Sequence, residues 1–294
     1  MARILITGAT GSLGRRVATL AVAAGHTVLG THVRPWIEAV RGPADGRPGR
    51  GRGVTEGKAD AVISPVRLDI RDRDAVRDVV DAVRPDLVIH TAAGRDRNDW
   101  VANADGAANV ALACGERVRL VHVSTDAIFS GRAGREYTER DLPDPIYQYG
   151  AAKAAAETAV RAIAPAAAIV RTSLIMADGG GGHEQLTYDL LEGRADGALF
   201  TDEIRKPVHV DDLADALLEI GGGDYRGVLN VAGPDAVSRY DLGVLVAERD
   251  GLDPGKLRSA TGSGRPGDVR LDTGLAAGLL RTRLRGAYEF MRAG

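Results

Sequence analysis

Cysteine is almost absent. Cys114 is the only one in 294 residues, so no internal disulfide and no cysteine-based zinc site can form. Aromatic residues make up only 4%, and the core must be built from Ala, Val, Leu and Ile. Each buries less area than a ring, yet a chain this long can still bury a sizeable core. No apolar run approaches the roughly 18 residues of a membrane span, and Ile4-Leu5-Ile6 is cut at once by Thr7-Gly8, too short for a signal-peptide core. An excess of either charge is missing too. Lys plus Arg is 38 and Asp plus Glu is 40, a net −2 that gives no global attraction to nucleic acid or an anionic membrane. No His/Asp/Glu cluster has metal-ligand spacing, so no metal is expected. The cytoplasm, where a lone thiol is ordinary, is the expected compartment.

What remains is a globular composition, 44% hydrophobic and 27% charged, which excludes wholesale disorder. The length suits one large domain or two closely joined ones. Short apolar runs alternate with helical patterns through the first 172 residues. Strands are expected over 3–7, 27–32, 66–69, 86–91, 119–124 and 168–172. Helices are expected over 13–24, 73–83, 102–116 and 146–163. Strands of 4–6 residues followed by helices of 10–15 indicate an α/β, doubly wound parallel sheet, with strands buried on both faces. His90 and His122 fall in such strands and are expected as core imidazoles. Two segments break the rhythm: Arg41 to Lys58, rich in Gly, Pro and Arg and without interleaved aromatics, reads as a surface insertion, and Gly179 to Gly182 reads as a loop, hinge or lid.

The first strand runs into Gly8-Ala9-Thr10-Gly11-Ser12-Leu13-Gly14 and then a helix. In that context one glycine allows the tight turn, one lets backbone approach a pyrophosphate, and one lets helix pack on strand, while free helix N–H groups face the phosphates. Gly8, Thr10, Gly11, Ser12, Leu13 and Gly14 are therefore candidate dinucleotide contacts. The G-x-x-G-x-x-G spacing resembles the short-chain dehydrogenase/reductase superfamily. The second strand ends without the carboxylate that would accept from the 2′-hydroxyl of NAD, and Arg34 instead suits a 2′-phosphate. NADPH is the expected cofactor, with NADH the alternative. In such a fold Asp69 and Ile70 would sit beside the adenine, and Thr91, Ala92 and Ala93 would let the cofactor's middle pass close to backbone.

Tyr149 and Lys153 are four residues apart near the start of a predicted helix, so they share a face. An ammonium about 5 Å from a phenol, at an effective dielectric of about 20, favours phenolate by roughly 3 kcal/mol, or about two pKa units. That shift would bring a tyrosine toward the working range of a general acid. A hydroxyl for the substrate carbonyl should come from the end of the fifth strand, which holds Ser124-Thr125-Asp126.

Longer segments narrow the resemblance to extended short-chain dehydrogenases acting on nucleotide sugars, and among them to the dTDP-4-dehydrorhamnose reductase family. Ser124-Thr125-Asp126-Ala127-Ile128-Phe129-Ser130-Gly131 is similar to that family's S-T-D-Y-V-F-D-G. Tyr137-Thr138-Glu139-Arg140-Asp141, Pro145, Tyr149-Gly150, Lys153 and Glu157 follow its Y-x-E-x-D…P…Y-G-x-x-K…E run. Val170-Arg171-Thr172-Ser173, Pro207 to Ala214, Arg265-Pro266 and Leu271-Asp272-Thr273 resemble further family segments. The resemblance implies an NAD(P)H-dependent reductase of a nucleotide-linked 4-keto-6-deoxysugar. Thr125 would polarise the carbonyl, Tyr149 would give the proton, and Lys153 would lower the phenol's pKa and hold the nicotinamide ribose. Asp126 and Arg265 would join Thr125 and Tyr149 in contacting substrate. It also implies a Rossmann domain of residues 1–172 plus 208–232 and a smaller C-terminal substrate lobe of 173–207 plus 233–294, in a fold class where homodimers are common.

The chain departs from the family at Gly94-Arg95-Asp96-Arg97-Asn98-Asp99-Trp100, which replaces a longer loop, at Ala127 in place of Tyr, and at the 41–58 insertion. Competing expectations are an epimerase that retains its NAD, an NADP-binding regulatory subunit without turnover, and a reductase of a non-sugar carbonyl.

Overall fold

The computed structural model describes residues 1–33, 63–179, 181–262 and 264–292. Arg34 and the 41–58 segment lie outside the described residues. Among the described residues seven strands form one sheet: β1 (Arg3–Thr7), β2 (Thr27–His32), β3 (Ser64–Arg67), β4 (Leu87–His90), β5 (Arg119–Thr125), β6 (Ala168–Thr172) and β7 (Gly227–Asn230). Their order is β3-β2-β1-β4-β5-β6-β7, and every adjacent pair is parallel. The main helices are α1 (Ser12–Ala23), α2 (Arg73–Val83), α3 (Gly106–Cys114), α4 (Gln148–Ile163), α5 (Gly182–Leu191), α6 (Val210–Gly222) and α7 (Arg239–Arg249).

The expected doubly wound α/β fold is present, and period-two alternation explains its layers. Ile4 and Ile6 of β1 face α1 and α6, where they join Val17, Ala21, Leu213 and Leu217. Leu5 faces the other way, among Val76, Val80, Val110 and Val160 of α2, α3 and α4. Each fully buried Val or Leu contributes about 1.5–3 kcal/mol. Helix ends follow local chemistry. Asp72 caps α2 by accepting from Ala75 N at 3.0 Å, and α3 stops where Gly115 takes φ +54°.

Boundaries differ from expectation by one or two residues, and three of the shifts bear on local structure. β3 runs 64–67 instead of 66–69, because its partner β2 ends at His32, whose carbonyl takes Leu68 N at 2.9 Å. The helix expected over 102–116 opens as a π-helical turn over Val101–Asp105. α4 starts at Gln148 because Tyr147 is extended (φ −149°, ψ 162°).

After β6 the chain leaves the sheet and returns to it through α6, which packs on α1, and β7, which pairs with β6. The other C-terminal segments have their own core of Met176, Val237, Leu242, Val246, Ala287, Phe290 and Met291. At the end of the glycine run Gly181 is the N-cap of α5 and Gly182 its first residue. The buried Glu184 carboxylate accepts from Ala177 N, Gly179 N and Gly181 N at 3.1, 3.3 and 2.7 Å. Among the described residues no helix is long and apolar enough to cross a membrane.

Candidate active site

The strand order reverses between β1 and β4, and a crevice forms outside the carboxyl ends of a sheet at such a point. A cleft of about 350 Å³ lies there. One wall is the turn between β1 and α1. Gly8 takes φ +73°, and an added Cβ would lie 2.7 Å from Ala92 Cα. At Gly14 a Cβ would lie 2.4 Å from Gly8 O, so the helix can seat this close only with glycine there. Gly11 is different: a Cβ there would meet only Gly8 O, at 3.3 Å. It is the N-cap of α1 and makes no side-chain cap, which leaves first-turn N–H groups for a ligand. Gly8, Gly11, Ser12, Leu13 and Gly14 line the cleft together with Thr91, Ala92 and Ala93. This open helix terminus beside small residues fits a dinucleotide pyrophosphate.

Other sequence candidates stand elsewhere. Thr10 is on the turn but not in the cleft lining, and its carbonyl accepts from Arg15. Asp69 and Ile70 follow β3, outside the lining. The Asp69 carboxylate is clasped by Arg71, with contacts of 2.6–3.1 Å, which holds it below the ordinary range. Ile70 is buried, its carbonyl taken by Asn109 Nδ2 at 3.0 Å.

Thr125, Tyr149 and Lys153 all line the cleft, as does Asp126. Thr125 ends β5, its Oγ1 accepting from Ala127 N at 3.2 Å and donating to Asp126 Oδ1 at 3.3 Å. Ser124 also borders the cleft, but its hydroxyl is committed to buried Glu157, donating to Oε1 at 2.6 Å, which leaves Thr125 as the candidate hydroxyl for a ligand. Asp126 is buried and accepts from Ser173 Oγ at 2.6 Å. Burial raises its carboxyl above the usual range against the pull of Arg205, whose Nε is 3.8 Å away.

The expected acidification of Tyr149 by Lys153 is not what this geometry gives. Lys153 is buried, and its Nζ donates to Val123 O at 2.7 Å and lies 3.5 Å from His122 Nε2. Burial pushes its ammonium down to about 8, with Glu157 pulling the other way. The Tyr149 phenol is raised, chiefly by burial and further by Asp126. The groups that oppose this are Arg97 and then the Thr125 hydroxyl. Four-residue spacing fixes a shared face, but it leaves the ammonium free to follow the strand's carbonyls. His122 and His90 stack at 5.1 Å beneath Lys153, and His90 Nδ1 pairs with Thr7 Oγ1 at 2.6 Å. Burial holds both rings far below their usual range, as neutral core imidazoles.

The opposite wall comes from the C-terminal segments and includes residues that sequence reasoning missed. Arg265 lines the cleft as expected, but so do Arg205, Arg239, His183, Glu203 and Ser173, with Tyr147 from the N-cap of α4. Arg205 donates to Pro266 O and Gly267 O at 2.8 and 2.5 Å, seating the segment that carries Arg265. Arg239 donates to His183 Nδ1 at 3.1 Å, and burial lowers its guanidinium to about 10, still charged at neutral pH. Arg97, from the loop after β4, also reaches the cleft. An arginine in a loop has no periodicity to betray it, and only the unusual 94–100 loop marked the place.

Against known proteins, the family described as RmlD substrate binding domain matches residues 2–272. A dTDP-4-dehydrorhamnose reductase of Mycolicibacterium smegmatis is 33% identical over 270 residues, 87% of this chain and 72% of that protein. A dTDP-4-keto-6-deoxy-D-glucose reductase of Streptomyces niveus is 32% identical over 201 residues, 65% of this chain and 70% of that protein. Among solved structures, the dTDP-4-dehydrorhamnose reductase of Bacillus anthracis in complex with NADP superposes with a TM-score of 0.78 at 24% identity, covering 99% of this chain and 97% of that one.

Proposed function

The chain belongs to the RmlD substrate binding domain family, and from that premise we propose that it is an NAD(P)H-dependent reductase of a nucleotide-linked 4-keto-6-deoxysugar. The observation that carries the reading is the meeting of Thr125, Tyr149 and Lys153 in one cleft, between a glycine turn and a cationic wall. When bound on that turn, NADPH, with NADH as the alternative, supplies hydride to the sugar carbonyl carbon. The backbone of Gly8 to Gly14 would hold the pyrophosphate, Arg34 the 2′-phosphate, and Asp69 and Ile70 the adenine edge. Thr125 would donate to the carbonyl oxygen as negative charge gathers there. Tyr149 would protonate that oxygen, and Lys153 would hold the nicotinamide ribose.

Charge supports the substrate class. Arg97, Arg205, Arg239, Arg265 and Lys153 line the cleft against the carboxylates of Asp126 and Glu203, an excess of cation suited to a diphosphate. We assign the cofactor to residues 1–172 plus 208–232 and the sugar nucleotide to 173–207 plus 233–294. The setting proposed is the cytoplasm, with a homodimer as the assembly to test by its mass in solution.

Loss of NADPH absorbance across a panel of dTDP-4-ketosugars and simple ketones tests the reading. Consumption is expected with a dTDP-4-keto-6-deoxyhexose and not with simple ketones. Tight NAD that survives dilution, with no consumption on any ketosugar, would indicate an epimerase and overturn it. Lys153 adds a pH prediction. Its ammonium is faced by the neutral His122 and His90 from the sheet and by Glu157 on its own helix. It is charged below about 8 and neutral above. The kcat/KM for NADPH, which reports the free enzyme, should therefore fall as pH rises through that value. A level profile across it would remove the Lys153 charge from cofactor capture.

A further inference from the structure

The loop after β4 carries a feature that the general reaction does not require. Arg97 Cζ stands 5.5 Å from the centroid of the Tyr149 ring, within reach for attraction between a cation and a π face. The loop is built to keep it there. Arg97 O accepts from Asn103 Nδ2 at 3.0 Å, and Asn103 Oδ1 accepts from Gly94 N at 2.9 Å. Asn103 is itself buried. Gln148, next to Tyr149 on α4, donates through Nε2 to Asn98 O at 2.8 Å, tying the loop to the helix that carries the phenol. Gly94 lets the loop fold this tightly, since a Cβ there would lie 2.8 Å from both Asp96 O and Asp99 Cβ.

The other groups around Tyr149 do not supply that cation. Asp126, beyond β5, is a carboxylate and opposes phenolate. Tyr147, its ring 6.3 Å away, is uncharged at neutral pH. Lys153, on Tyr149's own helix, has its Nζ engaged by Val123 O. We propose that Arg97 is a positioning residue for proton transfer: from the outer face of the ring it stabilises the phenolate that Tyr149 becomes. The inference rests on the reductase reading for its chemistry. As the carbonyl carbon gains hydride and is reduced, the dihydronicotinamide being oxidised, the Tyr149 O–H bond breaks. Its proton forms the new O–H bond on the sugar oxygen, and its electron pair stays on the phenolate beneath the guanidinium.

The loop's hydrogen bonds use the main chain of Arg97, so Arg97→Gln should remove the charge and leave the loop in place. The first test needs no substrate. The ultraviolet phenolate titration of the full-length protein is recorded with and without Arg97→Gln, each after subtracting the matching Tyr149→Phe titration. The Tyr149 midpoint should rise by about half to one pH unit in Arg97→Gln and stay near its original place in Arg97→Lys. An unchanged midpoint in Arg97→Gln, or an equal rise in both variants, would overturn the proposal. Should alkali unfold the chain first, kcat at neutral pH decides. A fall of about 3–10-fold in Arg97→Gln, largely rescued in Arg97→Lys, supports the proposal. A higher KM with kcat intact makes Arg97 a substrate contact only and overturns it. A midpoint shift in a protein that consumes no NADPH with any ketosugar would uphold the Arg97–Tyr149 coupling and sink the reductase reading.

Discussion

Replacing Tyr149 with Phe should lower kcat for ketosugar reduction by about 10²–10⁴ and leave NADPH binding little changed. The range equals roughly 3–5 kcal/mol of transition-state stabilisation. The ring remains, so its packing against Tyr147 and beneath Arg97 survives, and only the hydroxyl is lost. The other phenol in the cleft, Tyr147, is a weaker acid than a free tyrosine, raised chiefly by burial and further by Asp126. Thr125 Oγ1 is engaged with Ala127 N and Asp126, and Lys153 Nζ donates its hydrogen bond to Val123 O. Water cannot easily replace a donor in a half-enclosed cleft at the same distance and orientation. Stopped-flow absorbance at saturating NADPH separates the two effects. Nicotinamide fluorescence on binding should match the parent, and the hydride-transfer phase should slow. If turnover of Tyr149→Phe equalled that of the parent chain, Tyr149 would have no place in the reaction.

The legible part of the fold was the part built from repeating local signals. The alternation of apolar runs and helical patterns gave the sheet; Gly8 and Gly14 marked the turn because each answers a separate steric demand, and Gly11 because it leaves the first-turn N–H groups uncapped. The elements of the C-terminal segments were not legible from periodicity because their strands are two residues long, as at Leu199–Phe200, Ile204–Arg205 and Val237–Ser238. No period can be read in so short a run. The cationic wall was hidden for a related reason. Arg205 and Arg239 are brought to the cleft by tertiary packing, and in sequence they look like any surface arginine. The Tyr149–Lys153 spacing was readable, but the direction of the ammonium was not. That depends on where Val123 O and His122 Nε2 lie, which only the assembled sheet decides.

The same assembled sheet explains why loss of Glu157 should damage stability severely. Glu157 and Arg171 are each about 1% exposed and meet through three contacts of 2.8–3.2 Å. Glu157 Oε1 also accepts from Ser124, and Arg171 Nη1 donates to Glu139 O and Asp141 O at 3.4 and 3.3 Å, with its guanidinium 5.1 Å from the Phe129 ring centroid. The pair thus joins α4, β5, β6 and the 137–141 segment behind the reacting side chains. Glu157→Ala would leave a buried guanidinium without its counter-charge. Breaking such a pair costs about 3–5 kcal/mol, against a typical total of about 5–15. Thermal or urea unfolding should show a loss of that size, with the midpoint lowered on the order of 10 °C. The cost lies in the stranded charge and not in the absence of attraction, so Glu157→Leu combined with Arg171→Met should recover most of it. A double variant as unstable as the single one would mean that the lost stability came from packing, and the electrostatic account of this junction would fail. Activity gives a second view of the same point. Ser124 precedes Thr125, and Glu157 supports the charge on Lys153. The double variant, even when refolded to near-parent stability, should therefore remain impaired in kcat/KM for NADPH at neutral pH.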